Sequence, residues 1–65
     1  MNKKPIKDHH YLIIHQPHNE PTYTHWSGVA MCTGNTMDIM GECFGFIVNS
    51  MECWFPIESI IKEET

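Results

Sequence analysis

The chain predicts a mainly β fold: one small domain, built as an antiparallel meander or small barrel of about five strands, with a 3₁₀ turn or short helix near the C-terminus. Several observations carry that prediction. Short runs of β-branched and aromatic residues are separated by Gly, Pro and Asn, the punctuation expected between strands. The segment from Cys43 to Phe55 has a single hairpin register that gathers its large apolar side chains on one face. A length of 65 residues with a hydrophobic fraction of 42% leaves room for one core and one domain, stabilised by a modest margin.

The elements follow in order. Residues 1–8 are polar, carry Pro5 and read as a flexible lead-in to a domain at 9–65. HHYLIIHQ, residues 9–16, is apolar on both faces, with Tyr11 and Ile13 on one and Leu12 and Ile14 on the other. That pattern suits a buried strand, and Pro17 ends it. PHNEPTYTH, residues 17–25, reads as a long loop or irregular hairpin. WSGVAMCT, residues 26–33, is the next strand. A two-residue turn at Gly34-Asn35 would then set Cys32 opposite Met37, Ala30 opposite Ile39 and Met31 opposite Asp38. Gly41 would bend the chain before ECFGFIV.

The hairpin is the best-determined piece. With Asn49-Ser50 at the turn, Val48 faces Met51, Phe46 faces Cys53 and Phe44 faces Phe55, so every side chain on that face is apolar. The same register sets Trp54 across from Gly45, where an indole can lie over a residue with no side chain, and Ile47 across from Glu52. Beyond it, PIESIIKEET offers two readings: a short helix opened by Pro56, or a 3₁₀ turn followed by a strand at 60–63. A tail this short makes a poor helix, which favours the turn and strand.

This order of elements looks like an SH3-like small barrel, and CWFPIESIIKEE, residues 53–64, resembles the end of SH3 domains. There an aromatic-Pro pair opens the 3₁₀ turn and two apolar residues begin the last strand. The SH3 domains that bind proline-rich peptides also carry an aromatic and acidic motif at the first strand, a Trp pair near the middle and a Tyr in the final turn. Here HHYLIIHQ and Ile60 stand at the first and last of those places, and only Pro56 fits. The resemblance therefore implies an architecture and not that peptide specificity.

Charge narrows the function. The basic residues are four lysines, Lys3, Lys4, Lys7 and Lys62, and arginine is absent. Residues 8–61 hold Asp8, Glu20, Asp38, Glu42, Glu52 and Glu58 and no cation. Nucleic-acid binding needs cations against phosphate, so direct contact with DNA or RNA is not expected. No apolar run reaches the length of a membrane span, and the first residues lack a signal-like apolar stretch. The three cysteines, odd in number and set in apolar runs, read as reduced core thiols of a cytoplasmic protein.

Catalysis has little to work with. Cys43 and Cys53 alternate with large apolar residues and are expected to be buried, and no phosphate loop or paired carboxylates appear. The five histidines suggest a metal reading through His9, His15, His18 and His25 with cysteine help, yet no Cys-x-x-Cys pair exists. No cofactor or metal is expected, and the zinc-binding reading stands as an alternative. Recognition remains. Tyr23, His25 and Trp26 cluster at the end of the long loop, which in an SH3-like path approaches Pro56 and Trp54, and aromatics so placed are common binding anchors. Trp26 could equally cap one end of the core. The expected function is a cytoplasmic regulatory or inhibitory module, of the sort phages and mobile elements encode, that binds another protein with a basic surface. The alternative is a homo-oligomeric subunit.

Overall fold

In a computed structural model of the chain, residues 3–39 and 41–64 are described. Met1 and Asn2 of the expected lead-in, Met40 at the end of TMDIM, and Thr65 lie outside them. The strands are β1 (His10–His15), β2 (Trp26–Asp38), β3 (Glu42–Val48), β4 (Met51–Pro56) and β5 (Ile60–Glu63). They form one five-stranded antiparallel sheet in the order β4-β3-β2-β1-β5. Short 3₁₀ turns at Thr22–Thr24 and Ile57–Ser59 precede β2 and β5.

The hairpin has the register its pattern demands: Val48 pairs with Met51, Ile47 with Glu52, Phe46 with Cys53, Gly45 with Trp54 and Phe44 with Phe55. Asn49 and Ser50 take φ of 52° and 66°, the left-handed pair that lets a two-residue connection follow the twist of its strands. The tail is likewise a 3₁₀ turn leading into a strand.

Gly34-Asn35 is not a turn. β2 runs unbroken through it to Asp38, so Cys32 pairs with Phe46, Met31 with Ile47 and Ala30 with Tyr11. The register shift between Cys32 and Thr36 is a bulge, and Gly34 absorbs it at φ 86°, a conformation glycine reaches without a Cβ penalty. The chain reverses beyond Asp38 instead, where the Ile39 N–H donates to the Gly41 carbonyl at 3.0 Å and the Gly41 N–H to Asp38 Oδ1 at 3.2 Å. Nor is β1 buried on both faces. Tyr11 and Ile13 are fully buried, while Leu12 is half-buried and Ile14 exposed. One face of β1 meets the core and no element covers the other among the described residues.

The core gathers Tyr11, Ile13, Ala30, Cys32, Phe44, Phe46, Phe55 and Ile60. Tyr11 meets Phe46 edge-on at 6.0 Å and Phe46 tilts against Phe55 at 6.0 Å, spacings typical of favourable ring pairs. Since β1 and β4 are not neighbours in the sheet, the contact of His15 with Phe55 at 5.4 Å requires the sheet to curl. The expectation of three buried thiols holds for Cys32 alone, because Cys43 and Cys53 are half-buried. The lead-in is tied to the sheet: the Ile6 N–H donates to the Tyr11 hydroxyl at 2.7 Å and the Asp8 N–H to the Cys32 carbonyl at 2.8 Å.

Candidate functional site

The long loop between β1 and β2 is held by its own prolines and histidines. Thr24 Oγ1 donates to the Pro21 carbonyl at 2.7 Å, closing the 3₁₀ turn, and His25 Nε2 donates to the Pro17 carbonyl at 3.2 Å. This presents Tyr23 outward with 86% of its surface exposed. Trp26 behaves differently. Its indole stacks on Phe55 at 5.7 Å with 28° between planes, and a Cβ at Gly28 would stand 2.9 Å from its Cζ2. Trp26 therefore closes one end of the core and also borders the surface.

A hollow of about 370 Å³ opens between this loop and β4. Tyr23, His25 and Trp26 form the loop wall with Glu20, and Trp54 and Phe55 form the strand wall. Four of the five residues singled out in the sequence thus share one groove. Pro56 does not join them. It ends β4 and lines two other hollows, one of about 230 Å³ beside His15 and Ser59, the other of about 520 Å³ beside Phe44 and Ile57. Behind the groove, His15 Nδ1 hydrogen-bonds Ser59 Oγ at 2.8 Å, and no buried side-chain N or O lacks a partner among the described residues.

Sequence reasoning missed Glu20 and Phe55 as groove residues, although Glu20 stands three positions from Tyr23. It also missed a polar cluster on the outer face. Thr33 Oγ1 and Asn35 Nδ2 both donate to Glu52 Oε2, at 2.5 and 2.9 Å. These bonds favour the ionised carboxylate, the Thr33 bond most, and hold Glu52 below its ordinary range.

The hollow of about 520 Å³ is lined by Cys43, Glu42 and Glu58, with Lys4 ion-paired to Glu42 at 3.3 Å. Burial pushes the Cys43 thiol up, and the charges of Glu58 and Asp38 add to that against a backbone bond from Ile39. A thiol so placed stays protonated at neutral pH and is a poor nucleophile. Among the described residues, no three His, Cys, Asp or Glu side chains come together as a metal-holding group, and no helix is long and apolar enough to cross a membrane.

Fold and groove together define a small, mainly β domain with an aromatic hollow bordered by a carboxylate. No known protein family, curated protein or solved structure matches the chain.

Proposed function

We propose that the chain is a regulatory or inhibitory module of the cytoplasm that binds another protein through the aromatic groove. The observation that carries this reading is Tyr23: a large aromatic ring, 86% exposed, presented by a hydrogen-bonded loop into a hollow that also holds Trp26 and Trp54. Exposed aromatics facing a hollow bury much area at small entropic cost when a partner arrives. Glu20 in the groove, and the absence of any Lys or Arg from residues 8–61, favour a partner with a basic surface. The architecture expected from the likeness of residues 53–64 to SH3 domains is compatible with such a role, without the proline-rich specificity.

The experiment is capture of partners from native host lysate by the tagged full chain and by Tyr23→Ala, each checked by thermal melting. The reading expects a partner retained by the parent chain and lost by the variant at unchanged melting temperature. Equal capture by both would overturn it.

A homo-oligomeric role has its own observation. On the outer face of β1, β2 and β5, Ile14, Val29 and Ile61 are 43%, 52% and 42% exposed, apolar surface that a second copy could cover. Light scattering at high concentration decides this reading, since a monomer removes it.

A further inference from the structure

The aromatic groove lies along an unpaired strand edge. Among the described residues β4 pairs with β3 alone and ends the sheet. In a two-residue hairpin the residues flanking the turn exchange both backbone hydrogen bonds, and the pattern then alternates along the strand. From Val48–Met51, that alternation turns the N–H and C=O groups of Met51, Cys53 and Phe55 toward β3. Those of Glu52 and Trp54 turn the other way, to the free edge. Pro56, which has no N–H, terminates the row. The hollow is lined by side chains from both faces of β4, Cys53 and Phe55 from the inner one and Trp54 from the outer. Its floor therefore includes the strand rim itself, with Tyr23 of the loop and Trp26 at the start of β2 as the opposite wall.

Resting on the functional reading above, we infer that the groove binds its partner as an added β-strand: an extended basic segment that hydrogen-bonds the Trp54 and Glu52 backbone and lays its side chains against Tyr23 and Trp26. Main-chain bonds to a sheet edge supply affinity for an extended chain whatever its sequence, and alternate side chains supply selectivity. Charge selects the occupant. Glu20 borders the hollow, and residues 8–61 offer no cation to oppose a Lys or Arg entering there. A second copy of this chain would bring the same net charge of −4, and like charges oppose it.

The test uses the full chain and a fluorescein-labelled peptide of about ten residues alternating Lys and Val, with a Glu-for-Lys peptide as control. Amide hydrogen exchange of Trp54 and Glu52 is read by NMR with and without peptide. In parallel, the whole chain is made by chemical synthesis with an N-methyl group on the Trp54 backbone nitrogen, which removes the edge donor and leaves every side chain in place. The inference expects fast exchange at both amides in the free protein and slow exchange in the complex. It also expects roughly tenfold weaker binding by the N-methyl chain and no binding of the acidic peptide. If Tyr23→Ala abolishes binding while exchange at Trp54 and Glu52 is unchanged in the complex, the groove is used by side chains alone and strand addition is wrong, although the functional reading survives. Absence of any peptide binding overturns strand addition, while lysate capture continues to judge the functional reading. Slow exchange in a free protein of dimeric mass would assign the edge to a second copy and also overturn it.

Discussion

Trp54 lies over the space that a side chain at Gly45 would occupy: a Cβ there would stand 3.1 Å from Trp54 Cζ3, and 2.5 Å from both Glu52 Oε2 and Thr33 Oγ1. The two residues are directly paired across the hairpin, so the indole and the Glu52 cluster share the gap left by the glycine. Gly45→Ala is expected to lower stability by about 1–3 kcal/mol through overpacking. At this size that is a fall in melting temperature of several degrees, measured by differential scanning calorimetry. An unchanged melting temperature would show that Thr33 and Glu52 move aside freely.

The Glu52 carboxylate, held below its ordinary value of 4.5 by Thr33 and Asn35, links stability to pH. Folded Glu52 binds its proton less readily than unfolded Glu52. Its contribution is therefore present above the ordinary value and is lost as pH falls through the lower folded one. Glu52→Gln should flatten this part of the acid limb of a stability-against-pH curve, and Thr33→Val should do the same while keeping the carboxylate. Urea titrations across the acid range check both, and parallel curves for parent and variants would contradict the assignment.

Tyr11 predicts the opposite limb. Burial raises its phenol above the ordinary value of 10.0, opposed by the bond from the Ile6 N–H and reinforced by Glu63. A raised value favours the neutral phenol in the folded state. Its contribution persists below the ordinary value and is lost as alkaline pH rises through the folded one. Tyr11→Phe should abolish this alkaline loss while costing about 1 kcal/mol at neutral pH for the hydrogen bond. Spectrophotometric titration of the phenol, which should ionise late and together with unfolding, checks the assignment.

Tyr23 and Trp26 should separate by stability. Trp26 stacks on Phe55 and packs against the core, so Trp26→Ala is expected to cost about 2 kcal/mol or more. Tyr23→Ala should stay within about 0.5 kcal/mol of the parent. Chemical denaturation of both variants gives the comparison, and a large loss at Tyr23 would return that ring to a structural role.

Much of this fold was legible before any coordinates. Phe44, Phe46, Val48, Met51, Cys53 and Phe55 share a face in one register only, because a shift of one residue sends each of them to the other side. Asn tolerates the positive φ of the turn and Ser suits it less, so the facing pattern and not the turn pair carries the hairpin. The aromatics near Trp26 were legible as candidates, since large rings beside a proline-rich loop have few local uses.

What the chain's own order of residues determined is local: strand period, the facing pattern of the β3–β4 hairpin, the 3₁₀ turn after Pro56 and the near-absence of cations. The tertiary structure alone decided whether Gly34 would serve a turn or a bulge, because its positive φ suits either and only the pairing of β2 with β3 through to Asp38 selects the bulge. It also decided that one face of β1 is left open and that Trp54 shares a groove with Tyr23. Those outcomes depend on how far the sheet curls, a sum of packing contacts between residues distant in sequence that no local pattern contains.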